Sequence, residues 1–170
     1  MARLIFDIET DGLEPTQVWC IVTQDVDTSE VTTYTQGQWS EFNKAIKEAA
    51  EVIGHNIIGY DIPNCERLLG TDFSNPKVTD TLVMSRLADP QRDGHSLAYW
   101  GEQLGYPKGS YEDWTQYTPE MVEYCKQDVR VTEQVYQRLL SELDSFGSES
   151  VTLEHQVQTI IQEQVRNGWL

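Results

Sequence analysis

A chain of 170 residues, 39% of them hydrophobic, has enough apolar surface for one α/β domain that buries roughly 70% of its unfolded area. Twelve basic residues against 28 acidic ones, a formal net charge of -16, exclude a protein that grips duplex nucleic acid by neutralising phosphates along a broad basic face. No apolar run approaches the ~20 residues of a membrane span, and Met1-Ala2-Arg3 lacks a signal-peptide layout, so a soluble, cytoplasmic protein with no membrane partner is expected.

Arg3 to Ile8 is apolar on both faces, Leu4, Phe6 and Ile8 on one and Ile5 with Asp7 on the other, as in a central buried strand. The period of two places Asp7 and Glu9 on a common face. Gly12 and Pro15 break the run, and Val18 to Val26 and Glu30 to Thr35 read as a hairpin turning at Asp27-Thr28-Ser29. The Asp25-x-Asp27-x-Ser29 spacing imitates a calcium loop. Glu30 replaces its glycine and Gln36 its terminal glutamate, so the segment is read as a turn. Ser40 to Ala50 has helical period through Phe42, Ala45, Ile46 and Ala49, and Val52-Ile53-Gly54 is a short buried strand opening into His55-Asn56. Asp61-Ile62-Pro63 starts a helix, with Asp61 in a capping position and Pro63 in the first turn. Val78-Thr79-Asp80 makes a last strand edge. A helix through Ala88, a loop from Pro90 to Gly94, a helix from Ser96 to Leu104 and an irregular aromatic stretch from Tyr106 to Tyr117 follow.

Thr118-Pro119-Glu120 is a strong helix start, and the helix should run to about Leu143. Its apolar stripe is Met121, Cys125, Val131 with Thr132, Val135 and Leu139; Asp128 falls near the centre of that stripe and Tyr124 at its edge. An ionised carboxylate on a buried face needs compensation, which a metal ion would supply. A second amphipathic helix, Val151 to Arg166 with Leu153, Val157, Ile160, Ile161 and Val165, ends at Asn167-Gly168 and sits beyond the α/β unit. Cys20, Cys65 and Cys125 are odd in number, far apart and include no Cys-x-x-Cys, so they read as reduced core or near-core thiols rather than disulfides or zinc ligands. Neither a Ser/His/Asp arrangement nor a glycine-rich phosphate loop is present.

Asp-x-Glu occurs widely at strand ends, and Asp61 and Asp80 each read first as helix caps, the only role assigned to Asp80. Context raises the acidic pair. Two like charges on one face of a buried strand repel unless a cation lies between them. Tyr124, four residues before Asp128, faces the same space. Asp7, Glu9, Asp61 and Asp128 are therefore candidates for a four-carboxylate cluster holding divalent ions, the arrangement for two-metal phosphodiester hydrolysis.

Phe6-Asp7-Ile8-Glu9-Thr10, the segment from His55-Asn56 to Tyr60-Asp61, and Tyr124-Cys125-Lys126-Gln127-Asp128 resemble, in order and spacing, the three exonuclease motifs of the DEDD superfamily. The histidine branch places its histidine five residues before the last aspartate; that place here is Glu123, so the tyrosine branch fits. Asp80 to Leu87, His95 to Gly101, Leu104-Gly105 and Lys108-Gly109 are similar to the proofreading domain of family A DNA polymerases from short-tailed bacteriophages.

The resemblance implies an α/β, ribonuclease H-like fold, a mixed β-sheet flanked by α-helices, with the site at the end of the first strand. It implies a 3′ to 5′ exodeoxyribonuclease that releases nucleoside monophosphates from single-stranded or frayed ends. Asp7, Glu9 and Asp128 would hold one Mg²⁺ or Mn²⁺ with an attacking water, and Asp7 and Asp61 a second about 3.5 to 4 Å away. Tyr124 would orient that water, and Thr10, Leu13 and Asn56 would contact the terminal nucleotides. Residues 1–147 would form the exonuclease domain, and 148–170 a helix resembling the start of a polymerase domain, Glu154 to Trp169 carrying that likeness. No palm, fingers or thumb fits within this length, so the chain is expected to be part of a longer enzyme. The implied partners are the 3′ end of single-stranded DNA, the polymerase domain of the parent protein and a processivity factor, in the host cytoplasm. Two rivals remain. One is a ribonuclease D-like exoribonuclease, since no residue here reports on the 2′-hydroxyl. The other is a non-catalytic interaction domain of the same fold, against which the four intact acidic positions count.

Overall fold

Strand β1 (Arg3–Thr10) is the axis of the molecule. In a computed structural model of the chain, which describes residues 1–107 and 109–168, it pairs on one side with β2 (Val18–Asp25) and on the other with β4 (Glu51–Gly54). Lys108 of the Lys108-Gly109 pair, and Trp169, lie outside the described residues. The sheet order is β3-β2-β1-β4-β5, with β3 spanning Val31–Thr35 and β5 spanning Lys77–Asp80. The β3-β2-β1 ladder is antiparallel and β1-β4-β5 is parallel, so this is the mixed sheet that the resemblance implies.

Alternation along β1 separates two cores. Leu4, Phe6 and Ile8 join Ile21, Val52, Phe42 and Ile46 under α1 (Trp39–Glu48) and α2 (Asp61–Leu69). Ile5 points the other way, with Cys20, Val22 and Ile53, toward α3 (Thr81–Ala88), α4 (Leu97–Leu104) and α5 (Pro119–Glu142). Helices thus cover both faces, as expected where a central strand is apolar on both sides. Asp7 and Glu9 follow the parity of Ile5 and face α5. The β1–β2 register slips between Glu9 and Thr10, a bulge of the kind that re-aims side chains beside functional sites.

The Asp25 turn is a hairpin turn. Asp25 Oδ1 accepts from the N–H groups of Asp27 and Thr28 at 2.8 and 3.0 Å, which uses that oxygen for the turn itself. Thr118 caps α5 by accepting from Met121 N, with Pro119 in the first turn. Cys20, Cys65 and Cys125 are free and buried.

Two expectations need correction. Asp61 does not cap α2: Tyr60 holds the cap position, without a side-chain bond, and Asp61 is the first helical residue, its carboxylate directed to β1 instead. The last helix, α6 (Ser148–Arg166), does not stand beyond the α/β unit but lies against α3 and β5. Its apolar stripe is not the side it seats: Leu153 is 57% exposed and Ile160 55%, while His155 is buried. Among the described residues no helix is long and apolar enough to cross a membrane.

Candidate active site

Three elements aim at one end of β1. The strand delivers Asp7 and Glu9 toward α5, the helix returns Tyr124 and Asp128 from its buried stripe, and the segment from β4 to α2 brings Asn56 and Asp61 over the strand end. Together with Thr10 and Leu13 these eight residues line a single cleft of about 400 Å³, which Ile8, Gly12, His55, Tyr60 and Trp114 complete. All eight residues singled out in the sequence therefore meet in one place.

The carboxylates are removed from water to different degrees. Asp128, Asp61 and Glu9 are buried and Asp7 is half-buried. Asp61 Oδ1 accepts from the Ile8 N–H at 3.3 Å, which ties α2 to the strand between the two acids. Burial pushes the Asp61 carboxyl well above its usual range, and the charges of Asp7 and Asp80 push it further. A group of acids that resists full ionisation by itself is what a cation would relieve.

Cys125, read from the sequence as a core or near-core thiol, is a neighbour of the site. Its thiol donates to the Asp7 carbonyl and to Asp7 Oδ2, each at 3.4 Å. One ligand atom each from Asp7, Glu9 and Cys125 lie within 4.8 Å of one another. Burial, the neighbouring Cys20 thiol and the charges of Asp7 and Glu9 all push the Cys125 thiol up, and in its protonated form it donates to Asp7 and so orients that carboxylate. A cysteine inside a helical apolar stripe gives no signal of that role in sequence.

Local geometry explains the loops. A Cβ on Gly54 would stand 2.1 Å from Ile57 Cγ2 and 2.9 Å from the Phe6 carbonyl, so only glycine lets the chain leave β4 this close to β1. Asn56 has φ 63°, a left-handed conformation that asparagine tolerates better than most residues. At the rim, the Tyr60 hydroxyl lies 2.7 Å from both the Gly12 carbonyl and Thr10 Oγ1, and Thr10 Oγ1 lies 3.0 Å from that carbonyl. The triangle fixes the turn from which Leu13, 92% exposed, projects. On the opposite wall the Tyr124 ring meets Trp114 edge-on at 5.7 Å and Tyr111 at 6.1 Å, and the Trp114 carbonyl accepts from Trp19 Nε1 at 3.0 Å. The aromatic density between Tyr106 and Tyr117 was the available sign of this wall.

A carboxylate-lined cleft at the end of the central strand of a two-faced mixed sheet fits a class of hydrolytic domain that works with bound metal. The chain belongs to the 3′-5′ exonuclease family associated with DNA polymerase A, whose model matches residues 2–144. It is similar to the DNA-directed DNA polymerases of Enterobacteria phage T3 and Escherichia phage T7, at 29% identity over 98% of this chain and 33% of each relative. It thus spans about a third of the length of these relatives. Among solved structures, Brucella melitensis NrnC with bound Mg²⁺ has a TM-score of 0.78 at 21% identity, covering 99% of this chain and 87% of that one. Phi29 DNA polymerase complexed with single-stranded DNA has a TM-score of 0.54 at 15% identity, over 89% and 34%. These structural likenesses establish the ribonuclease H-like nuclease fold.

Proposed function

We propose that this chain removes nucleotides from single-stranded or frayed 3′ ends of DNA, as the proofreading part of a phage-type family A DNA polymerase. The observation that carries the reading is the convergence of Asp7, Glu9, Asp61, Tyr124 and Asp128 on one cleft in a chain of the 3′-5′ exonuclease family.

The donor set fits Mg²⁺ or Mn²⁺. Carboxylate oxygens suit hard cations, and the Cys125 thiol beside them donates to Asp7. Asp7, Glu9 and Asp128 would hold one ion, and Asp7 and Asp61 the other. When bound, such ions supply Lewis acidity that acidifies a water and offsets charge on the leaving oxygen. The side chains supply position. Tyr124 aligns the water for attack on the terminal phosphorus, and Cys125 and the Ile8 N–H keep the Asp7 and Asp61 carboxylates aimed. Water adds at phosphorus, the P–O3′ bond breaks and the 3′ oxygen takes a proton, giving a nucleoside 5′-monophosphate and a strand shorter by one. Leu13 wedges against a terminal base, while Thr10 and Asn56 contact the last nucleotides.

With a formal charge of -16, cleavage is expected to outstrip affinity, so a tethered polymerase domain and a processivity partner would hold the strand. The end of the family match at residue 144 supports a boundary near residue 147, with α6 as the first helix on the polymerase side. The relatives' phage origin supports action in the host cytoplasm.

The test is digestion of 5′-labelled strands of one sequence, as DNA and as RNA, by the purified chain with Mg²⁺ or Mn²⁺. A ladder shortening from the 3′ end, faster on DNA, is expected. Faster trimming of RNA overturns the substrate, and intact strands of both kinds overturn the reading.

A further inference from the structure

The loop that brings Asn56 and Asp61 to the cleft is fastened from outside the cleft. Asp80 ends β5 and caps α3. Its Oδ1 accepts from the N–H groups of Leu82 at 2.9 Å and Asn56 at 2.8 Å, and its Oδ2 from Ile58 N–H at 3.0 Å. Asp80 is thus more than a helix cap. Burial pushes this carboxyl up, and the three N–H groups oppose the shift.

Asp80 is itself held. Its main-chain N–H donates to His155 Nε2 at 2.8 Å, and His155 Nδ1 lies 2.7 Å from the Val151 carbonyl one turn earlier in α6. An amide N–H only donates and a carbonyl only accepts, so the ring is neutral with its proton on Nδ1. His155 is the buried residue of α6, and the helix turns its apolar stripe elsewhere. Asn56 meanwhile keeps a left-handed backbone, a conformation that persists where the surroundings enforce it.

We propose that His155 is a positioning residue for the exonuclease reaction: from α6 it holds the Asp80 main chain, and Asp80 holds the Asn56–Ile58 loop that places Asn56 and Asp61 at the cleft. The role in the reaction rests on the function proposed above; the tether does not. Displacement of α6, by whatever engages that helix, would reach the cleft through these bonds.

The experiment compares His155→Leu, which keeps an apolar body but loses the acceptor, with His155→Gln, whose amide oxygen can reach the Asp80 N–H. Amide hydrogen exchange by NMR and steady-state kinetics on a single-stranded DNA are the readouts. Expected for H155L is exchange at Asn56 and Ile58 faster by about fivefold or more, with a rise in KM of similar size and a smaller fall in kcat. H155Q should recover much of both. Unchanged exchange at these two amides, or a uniform loosening that leaves KM alone, overturns the proposal. If H155L does not fold, H155N, whose amide is too short for the Asp80 N–H, reads the same bond. A wild-type chain without nuclease activity overturns the function, and the exchange data then judge the tether alone.

Discussion

Helices α5 and α6 carry similar apolar patterns and use them in opposite ways. In α5 the stripe of Met121, Cys125, Val131, Val135 and Leu139 is buried on β1 and β2, and Asp128 sits within it. In α6 the stripe of Leu153, Val157, Ile160, Ile161 and Val165 stays open, between 37% and 57% exposed, while His155 is buried. The difference teaches that an apolar stripe marks a surface suited to cover without saying whether this domain supplies it. The buried Asp128 of α5 and the buried His155 of α6 are the better guides to the work of these helices. Asp128 contributes to a cleft, and His155 holds the strand end behind it.

The contrast can be broken most forcefully at the cleft. Replacing Asp7→Ala or Asp128→Asn should reduce metal-dependent digestion by about a thousandfold or more, with the circular dichroism of a folded protein. Tyr124→Phe should cost less, about ten- to a hundredfold, since one positioning hydroxyl is lost. Residual wild-type rates in Asp128→Asn would mean that α5 buries its carboxylate for structure alone.

Stability sharpens the same contrast. Leu139→Ala in α5 should destabilise by about 2–5 kcal/mol, whereas Ile160→Ser in α6 should stay within about 0.5 kcal/mol, both read by chemical denaturation. Equal costs would show that the α6 stripe is covered in solution.

A smaller effect separates function from stability at Asp61. Its folded carboxyl titrates well above its usual range, so the protonated form is the one the fold prefers. Stability from this group is present below the ordinary carboxylate range and is lost as pH rises from there through the raised folded value. Asp61→Asn should therefore melt a few degrees higher than wild type in metal-free buffer at neutral pH, with the gap closing on acidification. It should also lose activity. A mutant that melts lower at neutral pH would contradict the burial of an uncompensated acid there.

Much of this was legible in the chain. Period two along Arg3 to Ile8 gave the two faces of the sheet and the common face of Asp7 and Glu9, and the helical period of α5 placed Asp128 inside a buried stripe. Such signals are local and repeat. What escaped is pairwise and distant. Asp61 looked like a cap because capping is the usual local use of an aspartate before a helix, while its partner, the Ile8 N–H, lies 53 residues away. Cys125 looked like a core or near-core thiol because it falls in the apolar stripe of a helix, and only the fold reveals Asp7 beside it. His155 gave no signal because it is one polar residue among many on an amphipathic helix, and such residues normally point to solvent.

The cluster of four carboxylates as a cage for divalent ions is tested most directly by titrating Mn²⁺ into the metal-free chain. A single strand with a cleavage-resistant 3′ phosphorothioate end should be present, and bound ion can be followed by electron paramagnetic resonance. Two bound ions are expected for wild type, fewer for Asp61→Asn, and essentially none for Asp7→Ala. Mn²⁺ binding that is the same in all three proteins, or absent from wild type, would contradict the cage.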